Sequence, residues 1–213
     1  VGLVTGTEIS PGKYLHDVDI DWAPGSRAAV LMLPDTDFAF GRDSKRISHC
    51  FYTTNEPLPS FRYEDVDKTT LLELRGTKIN GDLGMQTMAP PSVWTKEGKR
   101  EELSFVRTPG EPGHVPEGKE FKQFVTLAAI AMLLSKHLGV NGFGHEPRMA
   151  WAGYFIKLGL SNSEIIALGK AISVYTNNRE LDDVKRVVES TADTFASGGK
   201  IKAGPALARI IDD

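Results

Sequence analysis

The chain has 213 residues, of which 40% are hydrophobic, and this is enough to bury a core in one large domain or two small ones. Its formal net charge of -3 lacks the overall basic excess of many nucleic-acid-binding proteins, so a polyanion would have to meet a local basic patch. The single cysteine, Cys50, excludes an internal disulfide framework and a cysteine-based zinc site, and it is typical of a reducing compartment.

No segment has the composition of a membrane span. The longest apolar run, 124–134 with only Thr126 interrupting, is far shorter than the roughly 20 residues that a span needs, and no signal-peptide pattern opens the chain. We therefore expect a soluble, cytoplasmic protein without a membrane partner. Because the chain begins at Val1 rather than Met and residues 1–5 already have strand composition, we also expect sequence upstream to be missing.

The first half of the chain, residues 1–106, predicts a mixed α/β unit, since short β-branched and aromatic runs alternate with Gly, Pro and Asp turns. A short helix is expected over 25–33, with Ser26 as its cap and Pro34 as its stop, and 77–84 has the composition of a hairpin connection. The expected strands are 2–5, 16–21, 38–41, 49–53, 70–75 and 85–90.

The second half of the chain differs in composition. Residues 107–119 are rich in Pro and Gly without apolar periodicity, which predicts a linker and a domain boundary. Residues 120–213 then predict a helical domain, in which Ser161 and Glu164 have capping-box spacing. The expected helices are 121–138, 146–157, 161–176, 181–196 and 205–211.

Apolar and acidic residues alternate over 15–22, in the order Leu-His-Asp-Val-Asp-Ile-Asp-Trp. In a strand, alternate side chains point to the same face, so Asp19 and Asp21 would project side by side. Two carboxylates about 4 Å apart repel each other by roughly 1 to 4 kcal/mol, and a bound divalent cation reverses that sign. The pattern predicts either a metal site or the solvated acidic face of an edge strand. A second pair, Asp35 and Asp37, follows Leu33-Pro34 and predicts an exposed turn.

A basic turn follows the strand predicted at 38–41. It contains Arg42, Lys45 and Arg46, and then Ser48 and His49. These are phosphate-binding groups, because Arg can make a bidentate contact, Lys adds charge and His can donate to a phosphate oxygen. Taken alone, the segment is also typical of a solvated loop followed by a packed histidine.

The strand predicted at 70–75 has one carboxylate, Glu73, between leucines. A buried acid needs a partner. Arg75 lies two residues further on the same face, so Glu73 is either one half of an ion pair or a third metal ligand. Downstream, the prolines of Pro90-Pro91-Ser92 would fix a rigid turn able to wall a pocket.

In this order, the three elements resemble the primase-polymerase catalytic domain of the archaeo-eukaryotic primase superfamily. That family has an apolar-Asp-apolar-Asp motif, a basic Ser-His element, and an acid on a third strand before a Pro-Pro-Ser turn. The chain departs from it in having Trp94 where a histidine often follows, and Glu in place of a frequent Asp. The matching residues are Val18-Asp19-Ile20-Asp21, Gly41-Arg42 through Ser48-His49, Leu72-Glu73-Leu74-Arg75 and Pro90-Pro91-Ser92.

The resemblance implies an α/β (α+β) fold. A small mixed-sheet catalytic domain of RRM-like primase type would occupy 1–106, with its N-terminal part truncated. After the linker 107–119, an all-α domain over 120–213 would correspond to the helical primase C-terminal-like domain, which 127–134, 144–150 and 187–207 resemble.

The resemblance further implies a template-dependent nucleotidyltransferase, a DNA primase/polymerase. Asp19, Asp21 and Glu73 would hold Mg²⁺ or Mn²⁺, and His49 would join them in catalysis. The nucleotide would be bound by Arg42, Lys45, Arg46, Ser48 and His49. The expected partners are a single-stranded DNA template, nucleoside triphosphates and a fused or associated replicative helicase, and a phage, plasmid or other mobile element would be a fitting source.

Two alternatives stay open. A metal-dependent replication-initiator endonuclease can share a similar small sheet, but it would need paired histidines on one strand, and the chain has no His-x-His. A non-catalytic replication or helicase-loading module would act through protein contacts alone.

Overall fold

The computed structural model describes residues 1–83, 85–138, 144–175 and 181–212. An antiparallel β-sheet domain is followed by a helical region, which confirms the expected α+β class. The chain divides into two compact units, one formed by Val1–Ser26 with Leu33–Ala129 and the other by Arg27–Met32 with Ile130–Asp213.

The described elements alternate little between strand and helix. The strands are β1 (Gly2–Val4), β2 (Glu8–Ser10), β3 (Lys13–Ile20), β4 (Ala39–Arg42), β5 (Lys45–Thr54), β6 (Phe61–Glu64), β7 (Thr70–Arg75), β8 (Gln86–Met88), β9 (Val93–Lys96), β10 (Lys99–Glu102), β11 (Ser104–Phe105) and β12 (Gly113–His114). The helices are α1 (Ser26–Val30), which follows a 3₁₀ turn (Ala23–Gly25), α2 (Gly118–Leu138), α3 (His145–Lys157), α4 (Asn162–Tyr175), α5 (Leu181–Ala196) and α6 (Gly204–Asp212).

The main sheet has the strand order β11-β4-β5-β3-β7-β6, with β2 beside β3 and β12 beside β5. Its strands pair antiparallel except β12, which runs parallel to β5, so the sheet is mixed as expected. Two ribbons, β1-β8 and β9-β10, form separate pairings. The central position of β3, between β5 and β7, determines which residues become neighbours in the candidate site.

Period-two alternation explains how β3 is buried on both faces. Val18 and Ile20 are fully buried on one face, where the rings of His16 and Tyr52 pack against Phe121 with centroids 6.1 and 4.9 Å apart. The other face has a cluster of Leu15, Phe40, Phe51 and Ala89, with Leu3, Phe38 and Phe105 packed against it. Apolar packing on both sides therefore fixes the register of the strand that bears the acids.

The expected strands each overlap an observed strand, and 70–75 has the observed bounds. The expected hairpin connection over 77–84 is wrong, because β7 pairs with β3 and β6 whereas β8 pairs with β1; Gly84 itself lies outside the described residues. Residues 107–119, predicted as a linker, contribute β12 to the sheet. At Gly113 a Cβ would come within 2.8 Å of the Tyr52 ring, so the close approach of β12 requires glycine.

After the sheet, the expected helices correspond to α2 through α6, with Thr176 outside the described residues. The capping box is present: Ser161 N–H donates to Glu164 Oε2 at 2.8 Å, and Glu164 N–H donates to Ser161 Oγ at 3.3 Å. Within the parts of the chain that the structure covers, none of the helices combines the length and apolar character that a bilayer crossing requires.

A buried ion pair links two of these helices. Arg148 on α3 is fully buried and donates through Nη1 to Asp183 Oδ2 on α5. A hydrogen bond from Arg186 and the nearby Arg148 lower the pKa of Asp183 to about 2, although partial burial opposes the shift. Asp183 is therefore a carboxylate partner of the buried guanidinium.

Asp183→Asn should lower the free energy of unfolding by about 3 kcal/mol, because it removes a counter-ion of a buried guanidinium. Asp182→Asn, at an exposed neighbouring position, is the matched control and should stay within about 0.5 kcal/mol of the wild type. Urea unfolding followed by circular dichroism measures both. Equal effects of the two substitutions would contradict a structural role for the pair.

The buried His16 should make the free energy of unfolding depend on pH. Burial lowers its pKa to about 4, whereas an unfolded histidine titrates near 6.5. Between those values the unfolded state binds a proton that the folded state does not, so stability is full above pH 6.5 and falls by about 3 kcal/mol as the pH drops towards 4. Urea unfolding of the wild type and of His16→Gln across this range should show the loss only in the wild type.

His137→Gln serves as the control for this experiment, since His137 is exposed. It should retain the wild-type pH dependence. Parallel loss of stability in the wild type and His16→Gln would show that other groups cause the acid sensitivity.

Candidate functional site

The register of the three central strands brings the predicted acids and the histidine together. Asp19 on β3 is the Cα partner of His49 on β5 and of Glu73 on β7. Residues that pair across antiparallel strands share a face and stand about 5 Å apart. Three of the predicted site residues therefore form one row across the sheet, and Asp21 follows at the end of β3 on the same face.

Asp17 is absent from the predicted site residues, yet it is part of the cluster. It is fully buried, its Oδ2 accepts a hydrogen bond from Thr87 Oγ1 at 2.6 Å, and the same oxygen lies 3.0 Å from His49 Nδ1. The sequence holds a signal for Asp17, since three acids alternate along this strand and period two puts all of them on one face. No comparable signal singles out Thr87, which comes from the separate β1-β8 ribbon.

Two cations neutralise the acids. The Nη2 atom of Arg75 lies 2.5 Å from Asp19 Oδ2, and its Nε donates to Glu73 Oε2 at 2.9 Å. Lys45 Nζ lies 3.7 Å from Asp19 Oδ1. The ion pair that the sequence allows for Glu73 is thus present, and the same guanidinium also holds Asp19.

The cluster shifts the proton affinities of its members. Burial raises the pKa of Asp19, against the opposing electrostatic effect of the neighbouring His49. At Asp21, partial desolvation followed by repulsion from Asp19 raises the pKa to about 6. Burial also lowers the pKa of Lys45, although Asp19 and Asp21 oppose this shift. A further cation would lower the pKa values of both acids, so the cluster is poised to bind positive charge.

The remaining predicted nucleotide-binding residues are not brought to the acids. Arg42 donates through Nε to Ser44 Oγ at 3.1 Å, and Arg46 is exposed. Ser48 is fully buried and donates to the Phe40 carbonyl oxygen at 3.5 Å, because alternation along β5 turns it away from His49. Of this predicted set, Lys45 and His49 are the two that contact the acids.

The Pro-Pro-Ser turn has two observed neighbours. Trp94, which stands where the family often has a histidine, packs under Arg42 with the guanidinium carbon 4.2 Å from the ring centroid. Ser92 lines a groove of about 620 Å³ together with Val1, Gly2, Gln86, Met88 and Val93. The turn therefore does help to wall a pocket.

The second acidic pair behaves as the sequence predicts. Asp35 and Asp37 are both exposed, and Asp37 Oδ1 lies 3.3 Å from Nε of Arg107 in an ion pair whose side chains are each 62% exposed. Nothing in this pair requires a metal ion, so it offers a control for experiments on Asp19 and Asp21.

The carboxylates fit a hard divalent cation if Arg75 moves. Asp17 and Asp19 each have a buried Oδ1 atom that accepts no hydrogen bond from the described residues, which is costly unless positive charge is near. Carboxylate oxygens are also the donors that Mg²⁺ and Mn²⁺ prefer. Among the described residues, no three acidic, histidine or cysteine side chains already converge to hold a metal ion, and Arg75 occupies Asp19 and Glu73.

Arg75→Gln should tighten Mn²⁺ binding roughly tenfold, equivalent to about 1.4 kcal/mol, because it removes a cation that competes for two carboxylates. Arg75→Lys keeps the charge and is the matched control, with affinity within about threefold of the wild type. Asp19→Asn should abolish the site. Titration followed by the electron paramagnetic resonance of free Mn²⁺ measures all four proteins, and weaker binding by Arg75→Gln would show that Arg75 supports the site instead.

Comparison of the chain with family models, with curated proteins and with solved structures found no match.

Proposed function

We propose that this protein is a template-dependent nucleotidyltransferase, a DNA primase/polymerase of the archaeo-eukaryotic primase type. One observation carries the proposal: Asp19 lies between His49 and Glu73 across the sheet, with Lys45 Nζ 3.7 Å from its Oδ1. Carboxylates for a metal ion beside cations for phosphate are the groups that transfer of a nucleotidyl unit requires.

In this proposal, the acids bind the metal ion. Asp19, Asp21 and Glu73 would hold Mg²⁺ or Mn²⁺, which would lower the pKa of an attacking 3′-hydroxyl and neutralise charge at the α-phosphate. The Oδ1 atom of Asp19 supports this assignment, because it is buried and accepts no hydrogen bond from the described residues, its nearest cation being Lys45 Nζ at 3.7 Å. Arg75 would neutralise the acids until a metal ion replaces it.

In this proposal, Lys45 and His49 bind the phosphates of the nucleotide. Their side chains are 9% and 12% exposed, so each can meet a ligand while most of its surface stays packed. Arg42 and Arg46 flank the same turn and add positive charge along the path of a triphosphate. Ser48 would act through its hydrogen bond to Phe40, which ties β5 to β4. Catalysis would come mainly from positioning and electrostatics.

The partners of this proposal are a single-stranded DNA template, nucleoside triphosphates and a fused or associated replicative helicase. They rest on the motifs that resemble the primase-polymerase family, together with the helical region that follows the sheet. A cytoplasmic location and a mobile-element source fit the same proposal.

The decisive experiment measures nucleotide incorporation on a single-stranded template, with and without a primer, in Mg²⁺ and in Mn²⁺. Asp19→Asn combined with Asp21→Asn should reduce incorporation at least about 10³-fold, because it removes two carboxylates from the metal site. The matched control is Asp35→Asn combined with Asp37→Asn, which removes the exposed acidic pair and should leave the rate unchanged. The unprimed reaction distinguishes chain initiation from extension.

Incorporation that persists in the Asp19/Asp21 double variant would remove the site assignment. Folded wild-type protein that binds Mn²⁺ but yields no product on any template would favour the non-catalytic replication module. Cleavage of the template instead of extension would favour the endonuclease.

A further inference from the structure

The ring of His49 is held on two sides. Phe40 packs against it with ring centroids 5.0 Å apart, and its Nδ1 atom lies 3.0 Å from Asp17 Oδ2. The distance from Nδ1 to Asp19 Oδ1 is 3.6 Å, beyond a hydrogen bond, although Asp19 is the register partner of His49. The ring of His49 therefore contacts Asp17, the diagonal neighbour across the two strands, rather than its register partner Asp19. Asp19 is paired with Arg75 and Lys45 instead.

Asp17 is itself fixed in place. It is fully buried, and its Oδ2 accepts from Thr87 Oγ1 at 2.6 Å. The Thr87 hydroxyl in turn accepts from Arg75 Nη1 at 3.3 Å. A hydroxyl has one proton, and an arginine can only donate, so the direction of every bond in this chain is determined. The last acceptor, Asp17 Oδ2, requires that His49 carry its proton on Nδ1.

We propose that Asp17, fixed by Thr87, is a positioning residue for His49: it accepts a hydrogen bond from Nδ1–H and thereby presents Nε2 to the triphosphate of the incoming nucleotide, where Nε2, once it is protonated as well, donates to a phosphate oxygen. A buried carboxylate that orients a histidine in this way determines both the tautomer and the ring angle. The identity of the ligand rests on the proposed function, whereas the orientation of the ring does not.

Hydrogen bonding separates the role of Asp17 from that of the metal-binding acids, because Asp17 is held by Thr87 and His49 whereas Asp19 is paired with Arg75 and Lys45. Both donors to Asp17 reach its Oδ2, and its Oδ1 is buried without a described hydrogen-bond donor. Asp21, by contrast, is exposed at the end of the strand. The exposure of the three alternating acids thus increases from Asp17 through Asp19 to Asp21, which follows the end of β3. The innermost acid is the one hydrogen-bonded to the histidine.

The test uses Asp17→Asn and Thr87→Val, with Thr87→Ser as the conservative rescue. A matched control, Thr54→Val, removes a different buried threonine hydrogen bond, the 2.8 Å contact between His16 Nε2 and Thr54 Oγ1 on the opposite face of β3. Two measurements are made on each protein: the ring ¹⁵N chemical shifts of His49, assigned with His49→Gln, and the affinity for inorganic tripolyphosphate by calorimetry.

We expect the wild type to carry the Nδ1 proton and to bind tripolyphosphate. Asp17→Asn should weaken that binding about tenfold and Thr87→Val about threefold, both with a mixture of tautomers, whereas Thr87→Ser and Thr54→Val should match the wild type. Asp17→Asn that keeps the wild-type tautomer and affinity would overturn the proposal. So would equal losses in Thr87→Val and Thr54→Val, which would indicate a general effect of destabilisation.

These measurements also separate the inference from the proposed function. Loss of the tautomer and of tripolyphosphate binding in Asp17→Asn would support the positioning role even if the wild type incorporated no nucleotide. If the wild type polymerises nucleotides but the His49 tautomer is the same in the wild type and in Asp17→Asn, the inference alone would be overturned.

Discussion

The interaction on which the rest of the site depends is the pairing of the buried Asp19 on the central strand with partly buried cations from the strands beside it. Asp19 lies in a low-dielectric environment, where an isolated carboxylate would lose its charge. Arg75 and Lys45 offset that cost, and Arg75 does so for Glu73 as well. Because the strands on both sides of β3 supply the partners, the sheet and the charge cluster stabilise each other.

Much of the fold follows from local signals. Alternation of apolar residues predicts β1, β3, β4, β5, β7 and β8 near their observed positions but not the other six described strands, and the helix 181–196 has the expected bounds. The capping box at Ser161 also forms as its spacing predicts. Local patterns do not predict the pairing of distant segments, because β1 pairs with β8 and β5 pairs with β12 although several other strands lie between them in the chain. Short strands such as β11 and β12 exist because of those partners rather than their own composition.

The same division applies to the site. Period two alone puts Asp19 and Asp21 on one face, but the antiparallel register decides that His49 and Glu73 stand beside Asp19. Alternation also explains why Ser48, adjacent to His49 in the sequence, faces the other way. Thr87 belongs to a different ribbon, so its hydrogen bond to Asp17 depends on tertiary packing that no local pattern encodes.

Arg75 affects whether the domain can fold before a metal ion binds. Many small metal sites are assembled from ligands that repel one another, so that folding waits for the ion. Here the acidic strand brings its own counter-ion from the neighbouring strand, so the sheet can form in the absence of metal. A chelator would then empty the site without unfolding the domain, and the exchange of guanidinium for metal would be a rearrangement of side chains within a finished fold.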